Sequence, residues 1–184
     1  MSPAHDPVPH VPHSPLAPLT PAALAAWREE VSAALSSMTR GFEEKHGYGP
    51  DENAIHLPEA EDRAAAERLA GEAAAFAELA LYYREVGAVT MSDVGNAYFL
   101  HSGAEAVGER IALPEAGGSV SAVLIGSDGG GILYAVAADG GVWRSRAASE
   151  ESGFDRITKD LAEFLDLLRR SVHRFDRTGE PGFV

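Results

Sequence analysis

Apolar side chains recur at steps of three and four positions in three stretches of the chain, which predicts three amphipathic helices. These stretches are 21–46, 58–86 and 158–173. Thr20 is a good N-cap for the first helix, and Pro21 follows at the first helical position, where a missing N–H costs nothing. Gly87 is a natural stop for the second helix. Helices therefore occupy the first half of the chain and its last part.

Between the second and third helices the hydrophobic period falls to two, which predicts short strands. The candidate strands are 88–91, 97–101, 110–113, 119–125, 132–137 and 141–144. Asp139-Gly140 lies between the last two and predicts a tight hairpin with a type I′ turn. Strands joined so closely are antiparallel. The sequence therefore predicts an α+β fold: an antiparallel sheet of about four to six strands packed against helices, with long N-terminal helices and a C-terminal helix.

Composition divides the chain into four parts. Residues 1–20 are rich in proline and poor in large apolar groups, which predicts a disordered tail. Its histidines, His5, His10 and His13, have no preformed geometry and do not predict a metal site. We interpret 21–75 as a helical extension, 76–173 as the α+β domain and 174–184 as a flexible C-terminal tail.

The chain has 184 residues, 28 of them acidic and 15 basic, which gives a formal net charge of -13. This charge argues against direct binding of nucleic acid, because phosphate binding needs clustered lysine and arginine. It favours attraction to a basic protein, such as a nuclease. The absence of cysteine excludes disulfides and thiolate zinc sites. No apolar run reaches the ~18 residues of a membrane span and no secretory signal is visible, so we expect a cytoplasmic protein.

The most conspicuous motif is the glycine-rich run 126–131. It is not a phosphate loop, because no Lys-Ser/Thr pair follows and a strand rather than a helix comes next. It is not a nucleophile elbow, and its one carboxylate is too few for calcium. His101 has Ser102 beside it, but adjacent strand residues point to opposite faces. We therefore predict no catalytic residue, metal or cofactor, and interpret the run as a hairpin loop that can act as an exposed contact tip.

Acidic runs at Glu59, Glu61 and Asp62 and at Glu150-Glu151 could contact a basic partner, although a solvated helix face or loop would have the same composition. Trp143 on a strand is either a core residue or an interface anchor. From loop position and charge, the predicted partner contacts are Asp128, Gly129, Gly130, Asp139, Trp143, Glu150 and Glu151.

Several motifs in the second half of the chain resemble the SUKH superfamily, the group that includes the Smi/Knr-type regulators and Syd. They are Leu81-Tyr82-Tyr83-Arg84-Glu85-Val86-Gly87, Asn96-Ala97-Tyr98-Phe99-Leu100, Ile125-Gly126-Ser127-Asp128-Gly129-Gly130-Gly131, Tyr134-Ala135-Val136, and Phe164-Leu165 in the closing helix. The resemblance covers roughly residues 76–172, with the motifs in the family's order. The family's opening Leu-Pro pair is displaced, since Leu57-Pro58 lies upstream of a long helix.

The resemblance implies a non-catalytic adaptor domain, because many bacterial members look like immunity proteins that bind and neutralise a toxin domain, often a nuclease. Two other hypotheses stay open. The long helices could form a hairpin that packs on a second copy, as in a structural or assembly protein or a homodimer. An enzyme or small-ligand binder would gather its residues only in the folded chain.

Overall fold

The computed structural model describes residues 18–72, 76–115 and 118–184. The predicted tail histidines His5, His10 and His13 lie outside these residues. The elements are α1 (Pro21–Thr39), α2 (Phe42–His46), β1 (Asn53–Ile55), α3 (Ala60–Glu72), α4 (Ala77–Glu85), β2 (Val89–Met91), β3 (Tyr98–Leu100), α5 (Gly103–Ala106), β4 (Arg110–Glu115), β5 (Gly118–Asp128), β6 (Leu133–Ala137), β7 (Val142–Ser145), β8 (Phe154–Thr158) and α6 (Leu161–Thr178). A short 3₁₀ helix, Glu150–Ser152, lies between β7 and β8.

All strand pairs are antiparallel, in the order β1-β2-β3-β5-β6-β7-β8. The long strand β5 pairs with β6 along one edge, while its other edge pairs first with β4 and then with β3. The predicted α+β fold, antiparallel sheet and C-terminal helix are thus confirmed. The described residues form eight strands, more than the four to six that the sequence predicts.

Alternation along β5 sends side chains into two separate hydrophobic clusters. Val123 and Ile125 join the larger cluster, which also holds the buried residues of the helices. Ala122 and Leu124 join a smaller cluster whose buried members all lie on strands. Helix α6 closes the larger cluster, with its Phe164 ring 5.4 Å from that of Tyr134. The main core therefore lies between the helices and one face of the sheet.

Both predicted N-terminal helices are broken in the structure. The first is interrupted by Arg40 in an extended conformation and Gly41 with a φ of 73°, which separates α1 from α2. The second becomes α3 and α4, which pack against each other. Arg84 Nε lies 3.0 Å from Glu67 Oε1, although a straight helix would separate these residues by about 25 Å. High helix propensity through this region therefore does not produce one continuous helix.

The β6–β7 hairpin forms where it is predicted, but with a different turn. A type I′ turn needs positive φ at both central residues, and here Gly140 has a φ of 85° while Asp139 does not have a positive φ. Gly140 N donates to Ala137 O, and Asp139 Oδ1 accepts from Gly141 N. This is the three-residue loop in which a glycine forms a bulge after a type I turn. Asp139 thus stabilises the turn with its own side chain.

Helix α1 belongs to the same core as the sheet. Trp27 Nε1 donates to Leu165 O at 2.8 Å, and buried residues from both sides of position 76 share the larger cluster. The boundary at 76 between an extension and a domain stays a prediction. At the other end, α6 continues to Thr178, and residues 179–184 fold back onto it.

An ion-pair network at Glu30 predicts a pH-dependent contact between α1 and α6. Arg169 Nη1 and His173 Nε2 lie 2.8 and 2.9 Å from Glu30 Oε1. Burial acts to raise the pKa of Glu30, but its hydrogen bonds with these partners and their charges outweigh burial and lower it. Because the folded-state pKa is lowered, the stabilisation is present above the unfolded value of 4.5 and is lost as pH falls through the folded value.

We therefore expect Glu30→Gln to lose less stability than the wild type as pH falls below 4.5. Glu30 is 47% exposed, so the difference should stay below about 1 kcal/mol. Urea unfolding across this pH range measures it. Glu29→Gln is the matched control, since Glu29 is exposed and makes no ion pair within the described residues. Parallel pH curves for wild type and Glu30→Gln would contradict the assignment.

Candidate partner-binding site

A groove of about 320 Å³ opens between the start of α3 and the short helix α5. We call it the acidic groove. Its lining residues come from three segments that lie far apart in sequence: His56, Leu57, Glu59, Glu61, Asp62, Ala88, Ser102, Ala104 and Glu105. Four of them carry a carboxylate, and none is a lysine or an arginine. The groove thus combines concave shape with concentrated negative charge.

Asp62 holds the groove together from inside. It is only 4% exposed, and its Oδ2 accepts from Glu59 N at 2.9 Å while its Oδ1 accepts from Ala104 N at 3.1 Å. The first bond satisfies a backbone donor at the start of α3, and the second joins that turn to α5. In the sequence, Asp62 is part of an acidic run. In the structure, its buried carboxylate links α3 to α5 through hydrogen bonds and is not a surface contact.

Helix α5 is fixed by a capping box between Ser102 and Glu105. Ser102 Oγ accepts from Glu105 N at 3.3 Å, and Glu105 Oε2 accepts from Ser102 N at 2.9 Å. This arrangement holds the Glu105 carboxylate at the groove wall. The spacing Ser-x-x-Glu is visible in the sequence and could have revealed Glu105, although only the fold brings it to Glu59 and Glu61.

Glu59, Glu61 and Glu105 are the exposed carboxylates of the groove, and none of them makes an ion pair within the described residues. The one basic side chain in the lining is His56, and its Nε2 lies 3.0 Å from Glu52 Oε1. Leu57 beside them is 65% exposed, which is unusual for a large apolar side chain in this protein. An arginine or lysine of a partner could pack its aliphatic stem on Leu57 and bring its charge to the carboxylates.

The negative potential of this region reaches into the core at Tyr83, which packs beneath Gly103. Burial is the main cause that raises the pKa of Tyr83, and the negative charges of Asp62, Glu105 and Glu109 add to it. The phenol therefore stays neutral, and its hydroxyl finds no hydrogen-bond partner within the described residues. The carboxylates around the groove thus act together with burial to keep this phenol neutral.

Five of the seven predicted contact residues lie together at one end of the sheet. They are Asp128, Gly129, Gly130, Glu150 and Glu151. Their two loops meet where a side chain at Gly131 would lie 3.1 Å from Ala148 Cβ. Asp128 is used internally, since its Oδ1 accepts from the backbone N–H groups of Gly130 and Ile132. Glu150 and Glu151 remain exposed and outside any ion pair in the described part of the chain.

The other two predicted contacts lie elsewhere. Asp139 is in the hairpin at the opposite end of β6, paired with Arg156 at 2.9 Å. Trp143 is half-buried against the smaller, all-strand cluster, and its Nε1 is buried without a hydrogen-bond partner in the residues described. The structure therefore does not gather the seven residues into one surface. It separates two acidic regions, the acidic groove, which is concave, and the Glu150-Glu151 loop.

No helix in the described ranges is long and apolar enough to cross a membrane. Within the same ranges, no three histidine or carboxylate side chains are grouped as metal ligands. No family model, curated protein or solved structure matches the chain. The class that fold and site define is therefore an α+β protein with an antiparallel sheet and an acidic surface groove.

Proposed function

We propose that this protein is a non-catalytic, cytoplasmic protein-binding domain of the immunity type, which binds and neutralises a basic toxin domain such as a nuclease. The observation that carries the proposal is the acidic groove, in which Glu59, Glu61 and Glu105 surround an exposed Leu57 with no lysine or arginine in the lining. A basic, partly apolar segment of a partner is the occupant that this chemistry favours.

The overall charge supports the same partner. A net charge of -13 attracts a basic protein over distances of about a Debye length and speeds its capture. A nuclease needs a basic surface to hold its own substrate, so a negative groove can cover the surface that binds phosphate. Association should accordingly slow as salt is raised.

The resemblance to the SUKH superfamily gives independent support. Its glycine-rich motif forms the β5–β6 turn, and its Phe164-Leu165 pair packs α6 on the sheet. The resemblance implies a non-catalytic adaptor, since many bacterial members of that family look like immunity proteins that bind a toxin domain. We extend that mode of action to this chain and assign the acidic groove as the surface involved.

The test is affinity capture from the native host, followed by an activity test of the captured protein. The double charge reversal Glu59→Lys/Glu61→Lys should weaken partner binding at least tenfold, because it replaces attraction by repulsion at the centre of the groove. The captured protein should be toxic when expressed alone and harmless when expressed with the wild type.

Glu43→Lys/Glu44→Lys is the matched control. It makes the same change in charge, and both of its residues are exposed in the first turn of a helix, α2. This control should bind as the wild type does. Equal binding by the groove variant and the control would contradict the proposed site, and recovery of only the protein itself would favour the assembly hypothesis.

A further inference from the structure

The C-terminal half of α6 carries a second groove of opposite character. Arginines recur there at steps of one, three and four, so that they share one side of the helix. The groove has a volume of about 460 Å³ and is lined by Glu30, Arg169, Arg170, His173, Arg174, Arg177, Thr178 and Phe183. We call it the arginine groove. It gathers four of the 15 basic residues of an otherwise acidic chain.

A short peptide segment of this chain packs on these arginines and forms one wall of the arginine groove. Residues 179–184, the closing segment, turn back at Gly179 and place Glu180 in an ion pair with Arg174. The Phe183 ring lies 5.1 Å from the guanidinium carbon of Arg170 and 5.5 Å from that of Arg174. A carboxylate and an aromatic ring, three residues apart, thus share Arg174, and the ring also lies near Arg170.

Helix α6 also contacts the backbone of the closing segment, at Gly182 and Phe183. Phe183 N donates to Ser171 Oγ at 2.8 Å. Gly182 packs so closely on α6 that a Cβ there would lie 2.1 Å from Ser171 Cβ. The contact therefore requires a small residue before the aromatic one.

The arginine groove keeps unused binding capacity while the closing segment is in place. Glu180 and Phe183 are still 61% and 51% exposed, so both are held from one side only. Arg177 is exposed and makes no ion pair within the described residues, whereas Arg170 Nε already lies 3.1 Å from Asp166 Oδ2. A longer or more acidic segment could also pair with Arg177, which the closing segment leaves without a partner among the described residues.

We propose that the arginine groove is a binding site for a short acidic–aromatic peptide segment, and that the closing segment covers part of this site, so that a partner peptide must displace it. The site is distinct from the acidic groove in position and in charge, so the inference does not depend on the proposed function. It adds a second interaction surface that recognises a partner of opposite charge.

The test uses the full chain with substitutions that release the closing segment from the arginine groove; we call such a chain a vacated variant. In Glu180→Gln/Phe183→Ala the closing segment loses its ion pair and its ring. A labelled, capped peptide with the sequence of residues 179–184 is then titrated, and fluorescence anisotropy reports binding. The vacated variant should bind this peptide at least tenfold more tightly than the wild type, whose groove is occupied.

Controls separate the peptide site from general attraction or misfolding. Adding Arg170→Ala/Arg174→Ala to the vacated variant should abolish binding, whereas Arg63→Ala/Arg68→Ala, which removes two exposed arginines from α3, should leave it unchanged. Gly182→Ala supplies a second vacated form, since it displaces the segment and keeps every groove side chain. The proposal would be overturned if neither vacated variant bound the peptide more tightly than the wild type. It would also be overturned if the loss of Arg170 and Arg174 left binding unchanged.

Discussion

Gly126→Val is expected to lower the free energy of unfolding by roughly 3 kcal/mol or more, since it combines steric overlap with backbone strain. Gly126 lies at the bulge of β5 with a φ of 153°, and a Cβ there would come within 2.0 Å of Phe99 O and 2.9 Å of Leu100 Cα. Both atoms belong to the backbone of β3, so they cannot move aside without breaking the β3–β5 pairing. Urea denaturation measures the loss.

Gly71→Ala is the control for this prediction. Gly71 lies in α3, and nothing lies within 4 Å of the position that its Cβ would occupy. Alanine there should stabilise the protein by about 0.5–1 kcal/mol, because glycine loses more backbone freedom on folding and is a poorer helix former. If both substitutions shifted the unfolding midpoint in the same direction, the assigned role of Gly126 would be wrong.

Asp62→Ala is expected to cost roughly 2–4 kcal/mol. The carboxylate accepts from Glu59 N and Ala104 N in a nearly closed site, and each backbone N–H left without a partner costs about 1–3 kcal/mol. The loss should also loosen the packing of α5 against α3. Within the described residues, no other side-chain hydrogen bond joins Ala104 N to the first turn of α3. Partner binding at the acidic groove should then weaken even at temperatures where the variant stays folded.

Asp62→Asn and Glu61→Ala are the reference variants. The asparagine keeps one acceptor oxygen, so its cost should fall between that of alanine and the wild type. Glu61 is exposed, so Glu61→Ala should change stability by no more than about 0.5 kcal/mol. Thermal unfolding followed by circular dichroism ranks the three. If Asp62→Ala and Glu61→Ala lowered the free energy of unfolding equally, the hydrogen bonds of Asp62 would not be important for stability.

Local patterns were sufficient to predict much of the fold. The stripe of α6 and the alternation of β5 and β6 repeat over enough residues to identify both the element and its buried face. Edge strands gave no such signal. Strand β1 has three residues, and β8 reads Phe-Asp-Arg-Ile-Thr, so neither shows a clear period of two. Both depend on pairing with a neighbour and not on their own composition.

The sequence indicated acidic residues in one segment of the acidic groove but did not predict a groove. Glu59, Glu61 and Asp62 lie within four positions of one another, so their acidity was visible, but their different roles were not. Asp62 turns inward because a backbone N–H 42 positions away meets it there. The sequence predicts a flexible tail at 174–184, whereas these residues form the end of α6 and the closing segment. Ser171 and two arginines contact the closing segment, and no sequence pattern connects those residues to it.

By itself, then, the sequence determined the class of fold, the helices and strands with strong periodicity, and the net charge of -13. These properties follow from composition and from spacings of two to four residues, which act locally. The tertiary structure alone decided where α3 ends and α4 begins, which carboxylates share a groove, and that Glu180 and Phe183 meet the arginines of α6. Those features depend on contacts between distant residues, and only the packed chain brings such residues together.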